Sequence, residues 1–244
     1  MNDAVLTEVP DQNVLARALG IVTSPGATFE VVKRFPRPAS MLFLVCVVMA
    51  MALGGPQFTA RGRQPMLDSQ VQQMEKFMGT SATPEMYAGM ERRAPYIPYL
   101  TIGSMFIFIP VVSLLVAAVY WFVFNAVLGG AATFKQVLAV VTHSQVISAL
   151  GAVVGAPIQY FQDTYSQAGP FNLGAVAPML EPGGFGASFL GSLSIFMLWQ
   201  LIVTAIGLGV LYRRKATVPA VVLTVVYLAL MAGVTLAFSR SGAR

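Results

Sequence analysis

The chain holds one histidine, His143, and its neighbours Thr142, Ser144, Gln145 and Ser148 put a dense run of polar groups inside an otherwise apolar stretch. An imidazole in a low-dielectric setting can carry a proton or bind a metal, and hydroxyl and amide groups beside it can line a path for an ion or small solute. Either task needs partners. There is no second histidine, and no Asp or Glu occurs between Glu91 and Asp163, so nothing is at hand to complete a relay or a metal site. His143, Gln145 and Ser148 form a candidate polar site within the membrane. They read better as interhelical bonding groups, each worth about 0.6 kcal/mol. Other chemistry finds less support. The sequence lacks a P-loop, an HExxH and a Gly-x-Ser-x-Gly, so no catalytic, cofactor-binding or metal residue is assigned and no enzyme is expected. Ser188 and Ser192 follow Gly183-Gly184-Phe185-Gly186-Ala187, and Ser188 reads as a helix cap. Asp163 and Glu181 share one loop but stand too far apart to argue for a cation site. The lone Cys46 excludes an intramolecular disulfide and a cysteine-based metal centre.

The elements that carry these residues follow from composition. Of the 244 residues 56% are hydrophobic and 10% charged, where a soluble domain carries about 25% charged residues, and the mean hydropathy is +0.71. An all-α polytopic membrane protein follows, because in lipid a helix satisfies its own backbone. The net charge of +5 does not point to nucleic acid, since the Lys and Arg residues flank apolar runs as topology determinants do. Asp3, Glu8 and Asp11 speak against a cleavable signal peptide, and no lipidation motif fits.

Residues 1–38 read as an amphipathic amino-terminal segment. Val14, Leu15, Ala18, Leu19 and Val22 recur at helical spacing, and Ser24-Pro25 starts a second helix with Thr28, Val31, Val32 and Phe35 on one stripe. Both helices are expected to lie in the headgroup layer with their basic residues toward anionic lipid, or else to pack on the membrane domain. The membrane domain, 39–238, is expected to hold five spans, at about 39–55, 97–128, 137–158, 188–211 and 217–238, with a tail at 239–244. A helical extracytoplasmic insertion at 57–94 carries the stripe Leu67, Val71, Met74 and Met78 and a second helix capped at Thr83-Pro84. Gly151 and Gly155 permit close helix approach within the bundle or between copies, so a homo-oligomer is one expected state.

Orientation rests on Arg213, Arg214 and Lys215, a basic cluster in the tight turn between the last two spans. Such a turn resists translocation, which sets the N-terminus in the cytoplasm. The same region resembles the end of the membrane domain of the Yip (Ypt/Rab-interacting protein) family, through Trp199, Ile206-Gly207-Leu208 and the basic turn Arg213 to Ala216. Gly20 to Pro36 is similar to the family's amino-terminal segment, with a Ser-Pro-initiated helix bearing Thr28-Phe29. The resemblance covers roughly Gly20 to Gly233 and implies five spans and a non-enzymatic multi-pass protein. It implies a cytoplasmic face that engages protein partners or shapes membrane, with membrane lipid as its surroundings. Eukaryotic members have longer amino-terminal regions and bind Rab GTPases; a chain with about 38 residues before its first span resembles a bacterial plasma-membrane member, and no partner-binding residue carries over. The competing expectation is a small transporter or channel that uses the third span around His143 and Gln145, with the acidic outer loop as an entrance.

Overall fold

Asn13 accepts a hydrogen bond from the Ala16 amide (2.8 Å) and so starts α1, Val14–Thr23, in the computed structural model, which describes residues 13–165, 169–176, 185–225, 227 and 233. Pro25 then opens α2, Pro25–Arg34, in the first-turn position where its missing N–H costs nothing, and the chain turns out of the helix at Phe35 ahead of Pro36. The span that follows, α3, covers Pro38–Gly54 and tightens into a 3₁₀ turn, Gly55–Phe58. Outside it come α4, Ala60–Met78, capped by the Thr59 hydroxyl, and α5, Pro84–Arg93, whose Thr83 cap the sequence pattern predicts. Leu67 and Val71 are buried, whereas α5 buries none of its residues. The path continues through α6, Ile97–Phe122, closed by a π-helical turn at Val123–Val127. A capping box between Thr133 and Gln136 starts α7, Phe134–Ser144, and α8 covers Val146–Phe161. Last come α9, Phe185–Ser192, and α10, Ile195–Tyr212, and residues 217–225 are helical again.

Four stretches among the described residues are long and apolar enough to cross a bilayer: Pro38–Phe58, Pro84–Val127, Phe134–Phe161 and Ile195–Tyr212. The protein is therefore an all-helical, multi-pass membrane protein. The expected fifth span at 217–238 lies largely outside the described residues. Two boundaries differ from expectation. The third span is broken at Gln145 into α7 and α8, where His143 and Ser144 bond back to carbonyls four residues earlier, a pattern that bends helices. The fourth begins at Ile195 rather than at 188. Leu193–Ile195 is drawn into extended pairing with the preceding loop, by Leu173 N to Leu193 O (2.7 Å) and Ile195 N to Phe171 O (3.1 Å), which leaves α9 as a separate short helix. Ser188 thus falls inside α9 and is not the cap of a span.

In the bundle α3 packs on α6, α7 and α8, and α7 also meets α6 and α10. The core runs through Phe29, Val137, Val140, Ile147, Leu201 and Leu208. Phe29 shows that α2 belongs to this core. The Lys33 ammonium donates to the Val210 carbonyl (3.0 Å) and Gln136 Nε2 donates to the Lys33 carbonyl (3.1 Å), which sets the end of α2 level with the start of α7 and the end of α10. One turn earlier along α2, the Phe29 ring lies against Gly207 and Val140. So α2 runs antiparallel to α7, and Pro25 lies about 12 Å deeper than Lys33 at 1.5 Å per residue. Beside it α1 touches α3, α7 and α8, and α8 begins about 18 Å along the third span. Against a hydrocarbon core of about 30 Å, the pair is a hairpin that enters the bundle to about its middle and returns.

Of the two expected placements, these contacts favour packing on the membrane domain over a headgroup-layer position with Arg17 toward lipid. Arg17 is 2% exposed and points inward, while Leu15 (60%) and Leu19 (68%) face out. The physical reason is the solvent: a helix surrounded by lipid turns its apolar stripe outward and its polar residue toward the protein.

Candidate functional site

The polar third span resolves into two kinds of contact. Gln145 Nε2 donates to the Ser113 hydroxyl (2.8 Å), joining α8's start to α6, and the Ser148 hydroxyl donates to Gln200 Oε1, joining α8 to α10. Ser113 is fully buried and sequence reasoning passed over both it and Gln200; a single hydroxyl or amide within an apolar run carries no periodic signal. His143, fully buried, points elsewhere. Its Nδ1 lies 2.7 Å from the Ala139 carbonyl. A carbonyl only accepts, so Nδ1 carries the proton and Nε2 presents a lone pair that meets no partner among the described residues. The structure thus unites Gln145 and Ser148 with neighbouring helices but leaves His143 apart from both. This arrangement can clamp three spans together. It does not form a continuous proton wire through His143, and among the described residues no cluster of His, Cys, Asp and Glu suits a metal ion.

A second constellation gathers at the end of the bundle that carries Arg213, Arg214 and Lys215, here termed the basic end. Helix C-termini leave carbonyls unpaired and carry a partial negative charge. Three cations meet them. Arg17 Nη1 donates to the Phe35 carbonyl (2.9 Å) at the end of α2, Lys33 to Val210 in the last turn of α10, and Arg214 Nη2 to Leu128 (2.9 Å) after the π turn of the second span. The link between that turn and α7 is tied by Asn125, whose amide brackets the Ala132 backbone, and by the Trp121 indole N–H to the Ala132 carbonyl (3.1 Å). Arg34, Lys135, Arg213 and Lys215 remain solvent-exposed around this frame.

The two stretches that resemble the Yip family meet here. A Cβ added at Gly207 would stand 2.6 Å from Val140 Cγ1 and 2.9 Å from Phe29 Cζ, so the Ile-Gly-Leu step exists to admit the ring next to Thr28. Thr28 itself lies against Gly20, where α1 and α2 cross. Gly151 similarly receives the Phe196 side chain of α10, while Gly155 faces Pro170 of the following loop.

At the opposite end Arg61 holds Asp163 in a two-point pair, Nε to Oδ1 at 2.5 Å and Nη2 to Oδ2 at 2.9 Å, and the guanidinium stands 5.4 Å above the Tyr160 ring. The hydrogen bond from Arg61 holds the Asp163 carboxyl below its ordinary range. Asp163 is therefore engaged by a protein cation, while Glu181, its expected companion, lies outside the described residues.

A family model described as the Yip1 domain matches residues 19–238. The chain is also similar to "Membrane protein YknW" of Bacillus subtilis (strain 168), 24% identical over 230 residues that cover 91% of this chain and 88% of the relative. No solved structure matches.

Proposed function

The chain belongs to the Yip1 domain family, and from that premise we propose that it is a non-enzymatic scaffold of a bacterial plasma membrane that recruits a protein partner at its basic end. In this reading residues 217–238 form a fifth span, the N-terminus and the basic turn face the cytoplasm, and 57–94 lie outside the cell. The observation that carries it is the convergence of exposed cations from separate connections, Arg34, Lys135, Arg213 and Lys215, on a frame braced by Lys33 and Arg214. Bracing fixes the spacing of the charges, which favours an acidic protein surface of matching shape. A photo-crosslinker at Arg34 or Lys215 should capture a defined partner from intact membranes. Charge reversal at Arg213 and Lys215 should abolish that capture, and recovery of nothing, or of the same protein from the reversed variant, counts against the scaffold. A reporter fused after Lys215 should be active only in the cytoplasm.

A transport reading draws on a cavity of about 270 Å³ between α3, α8 and α10, bordered by Ser148, Gln159 and Phe196. A solute flux in proteoliposomes that vanishes when the cavity is filled by Ser148→Phe would replace the scaffold by a transporter.

A further inference from the structure

Away from the basic end, the second halves of α3 and α8 border a groove of about 600 Å³ walled by Val47, Val48, Met51, Val153 and Pro157. Met51 (64% exposed) and Val153 (47%) form its open edge, at the depth of the lipid tails. The groove offers almost no polar contact and opens toward the lipid tails. The space is of the size that takes a single acyl chain.

The groove is not apolar to its end. Ala52, Pro56, Ala156 and Tyr160 are shared with a smaller recess that continues toward the membrane surface, lined also by Gln57, Arg61 and Gln159. Arg61 stands there at the start of α4, immediately beyond the span Pro38–Phe58. Its Nε and Nη2 are taken by Asp163 and by the Phe161 carbonyl (3.1 Å). Nη1 has no partner among the described residues, and the pair is half exposed, with side-chain exposures of 46% and 58%. Tail-length apolar space that leads to a guanidinium with donors to spare, at headgroup height, matches an amphiphile with a phosphate at one end.

We propose that this groove holds one phospholipid of the leaflet at the end opposite the basic turn, its tail along Val48 and Val153 and its phosphate on Arg61. The site is independent of partner recruitment at the basic end. Asp163 keeps the guanidinium oriented, so the anion is bound by the N–H groups of Nη1 alone and the tail sets the depth.

The full chain is to be reconstituted in phosphatidylethanolamine–phosphatidylglycerol vesicles with a trace of phospholipid that bears a photoreactive acyl chain. Peptides covering 47–52 and 153–157 should be labelled several-fold more than the equally exposed α6 face around Ile107 and Leu115. Val48→Trp should cut that labelling several-fold. Met51→Trp, at the open edge where a larger side chain does not crowd the core, should do the same in a variant that keeps its fold. Arg61→Gln should reduce labelling while Arg61→Lys retains most of it, and a photoreactive diacylglycerol, which lacks phosphate, should show no preference for the groove. Even labelling of all lipid-facing helices overturns the proposal, as does equal labelling by the diacylglycerol. Disulfide-linked dimers through Met51→Cys in a Cys46→Ser background also overturn it, because a second copy of the chain would then fill the groove.

Discussion

Replacing Gly207 by alanine tests the contact on which the amino-terminal hairpin depends. The new methyl carbon would lie 2.6 Å from Val140 Cγ1 and 2.9 and 3.0 Å from Phe29 Cζ and Cε1. Carbon atoms rest at about 3.5–4.0 Å, so α2, α7 and α10 must part by up to about 1 Å or the ring must leave its rotamer. Overpacking of that size typically costs about 1–3 kcal/mol. Alanine is a better helix former than glycine by up to about 1 kcal/mol, but a span separated from its neighbours stays helical in lipid, so little of that gain opposes the loss. A net destabilisation of about 1–2 kcal/mol is expected. Phe29→Leu alone removes part of the ring and should cost about 1 kcal/mol. In the double variant the methyl group enters space the ring has vacated, and the cost should fall short of the sum by at least about 0.5 kcal/mol. Reversible unfolding in mixed micelles, followed by tryptophan fluorescence, supplies all four corners of the cycle. Additivity within about 0.3 kcal/mol would mean that Phe29 and Gly207 are not in contact, and the depth of the hairpin would lose its main support.

Leu19→Cys in a Cys46→Ser background should resist a membrane-impermeant maleimide while its fluorophore adduct is quenched by tail-brominated lipid, and Arg34→Cys should react readily; a reactive Leu19→Cys would put α1 in water. His143→Leu should change stability by no more than about 1 kcal/mol, because Nε2 has no partner to lose among the described residues, whereas His143→Lys buries a charge without a counterion and should cost about 3–5 kcal/mol in the same unfolding assay. Asp163 is held below its ordinary range by Arg61, so its folded pKa lies under the unfolded one. The link is then complete above the unfolded value of about 4 and is lost as pH falls through the folded value. In a Cys46→Ser background, the distance between spin labels attached at Pro65→Cys and Thr164→Cys, which line one recess, should be constant from pH 5 to 8, lengthen below pH 4, and be long at every pH in Asp163→Asn; a change near neutrality would point to a different titrating group.

Much was legible before any coordinates. Apolar run length alone marked the segments able to cross a bilayer, because a bilayer of known thickness demands a known number of helical residues. Thr83-Pro84 announced a capped helix start and Pro25 a start by its first-turn position, although Ser24 makes no side-chain cap bond, since such signals act within four residues. Trp199, Ile206-Gly207-Leu208 and Thr28-Phe29 carried the family. What these signals share is that their causes are local or set by lipid. The depth of α1 and α2 was not local. The same stripe of Val14, Leu15, Ala18 and Leu19 serves a helix lying on a membrane or one inserted into it, and only contacts far along the chain, Lys33 to Val210 and Phe29 to Gly207, decide between them. The polar third span was visible as a list of side chains, yet whether His143 or Gln145 reached a neighbouring helix depended on Ser113 and on helix rotation. Arg61 and Asp163 stood a hundred residues apart with nothing in sequence to couple them, and packing of α3 against α8 brought them together. Composition and the bilayer chose which segments become helices; which faces meet was decided by close packing among distant residues, a choice no short window of sequence contains.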